Sequence, residues 1–83
     1  MLTNTTAADN TAMGSNAMKL NTTGASNVAI GTSCLESNTT ASSNTAVGQA
    51  AMNSNTTGDN NVGVGKNALL DNTTGTYNTA TGY

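Results

Sequence analysis

Residues 10–26 read NTAMGSNAMKLNTTGAS and residues 27–43 read NVAIGTSCLESNTTASS; the two stretches align position for position. Working outward, residues 44–60 read NTAVGQAAMNSNTTGDN and residues 61–77 read NVGVGKNALLDNTTGTY. NTATGY at 78–83 opens a further unit, and MLTNTTAAD at 1–9 closes an earlier one. The whole chain is a 17-residue repeat without insertion or deletion. Periodicity of this kind is the signature of a stacked architecture and takes precedence over local propensity.

The columns of the repeat have physical content. Asn10, Asn27, Asn44, Asn61 and Asn78 share the first position, and Gly14, Gly31, Gly48, Gly65 and Gly82 the fifth. Asn4, Asn21, Asn38, Asn55 and Asn72 share the twelfth, each followed by Thr-Thr. Apolar residues fall at the fourth position (Met13, Ile30, Val47, Val64) and the ninth (Met1, Met18, Leu35, Met52, Leu69). The eighth stays small: Ala17, Cys34, Ala51, Ala68.

Stacking accounts for such columns. In a parallel β-solenoid each coil lies about 4.8 Å above the last, so equal positions superpose. Asn columns can then hydrogen-bond from coil to coil at tight corners, and a constant Gly marks positive φ or close backbone approach. The residues between Asn and Gly, such as Val28-Ala29-Ile30, alternate as a short strand does. Positions two and four face one side and the small third position the other. A helical hairpin of the same length fails, because every unit carries Asn-Thr-Thr, β-branched residues and Gly. The fold expected is all-β: a parallel β-solenoid, or β-roll, of about five 17-residue coils. Residues 1–83 form a single repeat domain, with partial coils at 1–9 and 78–83 around four full repeats.

Composition agrees. Apolar residues are 35% of the chain, mostly Ala and Val, and only 7% of residues are charged. Disordered segments are usually highly charged, whereas Asn and Thr dominate here and suit polar ladders. A net charge of −2 with two cations, Lys19 and Lys66, offers no basic stripe for nucleic acid. No apolar run reaches membrane-spanning length, which argues against membrane insertion. The opening Met1-Leu2-Thr3-Asn4 has neither a basic nor an apolar leader segment, so a piece of a longer protein, or export by another route, is expected. The single Cys34 leaves the redox compartment undetermined.

The motif Asn-x-Ala-x-Gly, as in Asn27-Val28-Ala29-Ile30-Gly31 and Asn44-Thr45-Ala46-Val47-Gly48, resembles the head repeats of YadA-like trimeric autotransporter adhesins. The longer unit, with its Ala-Leu and Asn-Thr-Thr-Gly segments, is similar to repeats of phage tail-fibre and related bacterial surface proteins. The resemblance covers the whole chain. It implies a left-handed β-roll, three chains side by side, and an extracellular place on a cell surface or virion. This repeat is longer than the usual adhesin head repeat, with the Asn-Thr-Thr segment expected as the added stretch, and none of these residues reads as a neck, coiled-coil stalk, membrane anchor or chaperone domain.

Several local patterns compete with a purely structural reading. Each Asn-Thr-Thr is formally an N-glycosylation sequon, though a turn-forming Asn ladder explains it as well. Thr rows invite an ice-binding β-solenoid; adjacent threonines point to opposite faces, so one row at most lies outward, and the second position alternates Thr with Val. Gly63-Val64-Gly65-Lys66 imitates a phosphate loop but lacks the upstream Gly, and Asn67 follows the Lys. Asp9, Glu36, Asp59 and Asp71 occupy four different columns and match no calcium repeat; Glu36 and Asp59 are the nearest pair in adjacent coils. Cys34, with no His to activate it, reads as a small buried filler. No catalytic, metal or cofactor site is expected.

The functional expectation is therefore a non-enzymatic fibre or adhesin segment, a homotrimer packed through the small third column (Ala12, Ala29, Ala46, Gly63, Ala80). The freely varying sixth column (Ser15, Thr32, Gln49, Lys66, Tyr83) and seventeenth column (Asp9, Ser26, Ser43, Asn60, Tyr77) are where a cell-surface or glycan receptor would bind. A chain two residues short of five coils also suggests copies joining end to end into filaments, with the Thr3 and Thr81 ends in contact.

Overall fold

Every Asn-x-Ala-x-Gly segment forms one three-residue strand, and the strands stack directly upon each other. The computed structural model describes residues 8–83, so Met1, Thr3 and Asn4 lie outside the described residues. The strands are β1 (Thr11–Met13), β2 (Val28–Ile30), β3 (Thr45–Val47), β4 (Val62–Val64) and β5 (Thr79–Thr81). They make one parallel sheet in the order β1-β2-β3-β4-β5, with no helix among the described residues. The pairing Ala12↔Ala29, Ala29↔Ala46, Ala46↔Gly63, Gly63↔Ala80 keeps the sequence period as the register. The chain is a parallel β-solenoid.

Outside the sheet the coil turns, yet its backbone still bonds along the stack. Position seven donates to the coil before it: Ser33 N to Ser15 O at 2.9 Å, Ala50 N to Thr32 O at 2.8 Å, Asn67 N to Gln49 O at 3.0 Å. Position nine donates to the coil after it: Met18 N to Cys34 O at 2.9 Å, Leu35 N to Ala51 O at 3.0 Å, Met52 N to Ala68 O at 2.9 Å. This arrangement needs left-handed backbone at three non-glycine columns. Position seven has φ from 59 to 63°, position nine from 50 to 53° and position seventeen from 57 to 61°. No Val, Ile or Thr occupies any of them, because β-branching is strongly disfavoured there. That is why the ninth column uses Met and Leu while the outward strand positions use Val, Ile and Thr.

The interior is narrow. Ala29, Ala46 and Gly63 of the third column face Met18, Leu35 and Met52 of the ninth, with Ala17, Cys34, Ala51 and Ala68 of the eighth beside them. A Cβ added at Gly63 would sit 3.0 Å from Met52 Cγ, so nothing larger than Ala fits opposite a Met or Leu. This corrects the expected role of the third column. Ala29 and Ala46 are wholly buried within their own chain and cannot form a contact between chains. The fourth column is the outward one: Met13, Ile30 and Val64 are 61, 37 and 39% exposed.

Candidate functional surface

The polar interior is built by the two Asn columns, and they bond differently. In the twelfth column each side chain bonds the next: Asn38 Nδ2 donates to Asn21 Oδ1 at 2.9 Å, Asn55 to Asn38 at 3.1 Å and Asn72 to Asn55 at 2.9 Å. In the first column the side chain receives backbone instead. Asn27 N donates to Asn10 Oδ1 at 2.9 Å, and the same bond recurs from Asn44 to Asn27, Asn61 to Asn44 and Asn78 to Asn61. The columns meet at the carbonyl of position fifteen. Gly24 O accepts Asn10 Nδ2 at 2.8 Å and Asn21 Nδ2 at 3.0 Å; Ala41 O, Gly58 O and Gly75 O accept the matching pairs. Among the described residues no buried side-chain nitrogen or oxygen lacks a partner. A fully satisfied network of this kind fixes one register, since a slipped coil would orphan several buried amides.

Three of the sequons are settled by the same bonds. Asn21, Asn38 and Asn55 are fully buried, and the Nδ2 of Asn38, Asn55 and Asn72 donates both of its hydrogens within the stack. None of these three amides is available to a glycan in the folded chain. The neighbouring threonines are divided as their alternation implied. Thr22, Thr39 and Thr56 send Oγ1 to the carbonyl of the next coil, at 3.2, 3.4 and 3.4 Å. Thr23, Thr40, Thr57 and Thr74 face water as a single row.

Two of the acidic residues, Asp59 and Glu36, serve the stack separately. Asp59 Oδ1 accepts Ser42 N at 2.7 Å, as Ser42 Oγ accepts Ala25 N at 3.0 Å one coil earlier. Glu36 Oε1 accepts Asn53 Nδ2 at 3.1 Å. Glu36 and Asp59 thus bond to different neighbours, on different coils. Among the described residues no cluster of three His, Cys, Asp or Glu could hold a metal, no helix is long and apolar enough to cross a membrane, and no pocket is formed. Gly63-Val64-Gly65-Lys66 is β4 and the corner after it, with Lys66 exposed.

Cys34 lies in the eighth column with its Sγ donating to Ala46 O at 3.1 Å. Burial pushes its thiol up to about 11, offset in part by an Ile30 backbone hydrogen bond. Because the folded value lies above that of a free thiol, its contribution to stability is complete below about pH 8.5 and is lost as pH rises toward 11. We expect native chain to resist a thiol reagent at pH 8 that labels urea-unfolded chain within minutes. Cys34→Ala should remove the part of the alkaline destabilisation due to the thiol. Rapid native labelling would place the thiol outside the core.

The sixth and seventeenth columns are exposed at every described coil, as their variability implied. They flank the outward strand positions: the second column (Thr11, Val28, Thr45, Val62, Thr79) and the fourth (Met13, Ile30, Val47, Val64, Thr81). The result is a stripe of aliphatic and hydroxyl side chains bordered by varied polar ones. The carbonyl junction at position fifteen was not visible in the sequence, because a backbone acceptor leaves no side-chain column. Comparison with protein-family models, curated proteins and solved structures finds no match to this chain.

Proposed function

We propose that this chain is a structural segment of an extracellular fibre or adhesin, on a cell surface or a virion, that works by self-assembly and carries out no catalysis. The observation behind this reading is the outward strand face. Val28, Ile30, Val47, Val62 and Val64, with Met13, form an aliphatic stripe on a solenoid whose interior is already filled. Contiguous apolar surface rimmed by polar residues is characteristic of protein contact sites. The resemblance to trimeric adhesin heads favours a homotrimer, and the geometry supports packing through the second and fourth columns in place of the third. The single Thr row, beside the irregular sixteenth column (Ala8, Ala25, Ser42, Asp59, Thr76), gives the ice-binding alternative less support.

Sedimentation of the purified chain tests this reading. At micromolar concentration the wild type should sediment as an oligomer, and Ile30→Lys with Val47→Lys should sediment as a monomer that keeps the β-sheet circular dichroism. Both substitutions lie on the outward side of the sheet and leave the interior intact. A wild type that is folded, stable and monomeric would retire the side-by-side assembly.

A further inference from the structure

We propose that the last coil carries a binding site for a neutral oligosaccharide, formed by Tyr77 and Tyr83 on either side of Thr79 and Thr81. These tyrosines are the only aromatic residues in the chain, and they are 79 and 90% exposed. They stand two residues before and two residues after the paired threonines of β5, both of which face outward. Ala80 between them turns inward with the third column. Only in β5 are both outward strand positions Thr; β2 presents Val28 and Ile30, and β4 presents Val62 and Val64. The aliphatic stripe gives way at this coil to two hydroxyls bracketed by two phenols.

That combination matches the chemistry of a sugar. The C–H face of a pyranose stacks on an aromatic ring, and hydroxyls alongside exchange hydrogen bonds with its equatorial oxygens. Charge narrows the class. No ionisable side chain occurs between residues 72 and 83 other than the two phenols, and Lys66, one coil before Tyr83 in the sixth column, is the nearest cation in the columns concerned. One cation does not neutralise a polyanion, so nucleic acids and sulfated polymers fit poorly.

The backbone adds an independent observation. Tyr77 has φ of 57°, in a column otherwise held by Asp9, Ser26, Ser43 and Asn60. Asn, Asp and other short polar residues tolerate this conformation, whereas a bulky aromatic is unusual there. Exposed as it is, Tyr77 recovers little of that strain through packing. A strained and exposed aromatic that stability does not require points to recognition.

The proposal stands on the last coil alone, so its failure would leave the fibre reading untouched. With no Trp or Phe in the chain, tyrosine fluorescence and near-ultraviolet circular dichroism report on these two side chains only. The probes are neutral oligosaccharides of β-linked glucose, N-acetylglucosamine, mannose and galactose, with dextran sulfate and single-stranded DNA as polyanions. At least one neutral oligosaccharide should give a saturable change at millimolar concentration or below. By calorimetry Tyr77→Ser and Tyr83→Ser should each weaken its binding at least tenfold, and Thr79→Val with Thr81→Val should also weaken it. None of these variants should lower the thermal midpoint, since Ser already occupies both tyrosine columns and Val both threonine columns. The proposal is overturned if no neutral sugar responds, if only a polyanion does, or if the tyrosine variants bind like the wild type.

Discussion

Gly48→Ala should unfold the chain, or lower its stability by roughly 2–6 kcal/mol, the sum of a glycine-only backbone and an overfilled contact. Gly48 has φ of 126°, where side chains other than hydrogen are strained. An added Cβ would lie 2.7 Å from the carbonyl carbon and oxygen of Gly65 in the next coil. That obstacle is backbone, held by the register of the whole stack, so it cannot swing aside as a side-chain tip could. Gly82 provides the internal comparison. It occupies the same column at φ of 97°, yet nothing lies within 4 Å of its would-be Cβ. Gly82→Ala should therefore cost only the backbone part, about 1–3 kcal/mol. Urea unfolding followed by circular dichroism measures both. Equal losses would show that contact between coils does not constrain this column.

The period, the strand positions and both Asn columns were legible because each coil repeats the same environment, so a structural requirement recurs as a column. The short strand follows from Asn-x-Ala-x-Gly, and the register follows from the period with no further information. The inner face of the strand was not legible. A column of Ala and Gly inside a strand signals close approach, but sequence alone does not say whether another chain or the far wall of the same coil approaches. Coil width decides it, as the proximity of Met52 to Gly63 shows. The second column held the missing clue. It alternates Thr and Val through Thr11, Val28, Thr45, Val62 and Thr79, and such indifference to polarity belongs to a position that meets water.

For the candidate binding surface, variability correctly marked the sixth and seventeenth columns as exposed. What distinguishes Tyr77 from its column is a bulky aromatic side chain at the left-handed backbone angle that the whole column shares, and no local sequence rule gives that angle. The left-handed corners at positions seven, nine and seventeen arise from closing a loop of fixed length onto the coil below. Ala50, at φ of 59°, sits in such a corner with nothing in its own sequence neighbourhood to announce it.

Asn55→Asp should be strongly destabilising although it exchanges only an amide nitrogen for an oxygen. Asn55 is fully buried, and its Nδ2 donates to Asn38 Oδ1 at 3.1 Å and Gly58 O at 3.0 Å. A carboxylate keeps the acceptor that receives Asn72 Nδ2 at 2.9 Å but turns both donated bonds into contacts between oxygen atoms. An uncompensated buried charge of this kind costs about 3–5 kcal/mol. Burial and the facing oxygens should raise the introduced carboxyl above its unfolded value of about 3.9. A group whose folded pKa is raised gives its full stability below the unfolded pKa and loses it as pH rises. The variant should therefore be weakest at pH 7 and recover toward pH 4, where a protonated carboxyl can restore one of the two lost bonds. Asn60→Asp is the control: Asn60 is exposed in the column that also holds Asp9, and its replacement should change stability by less than about 0.5 kcal/mol. Urea midpoints of both variants at pH 7 and pH 4, each referred to the wild type, make the comparison. If Asn55→Asp matches the control, or shows no recovery on acidification, the twelfth column is not the continuous amide ladder that holds the coils in register.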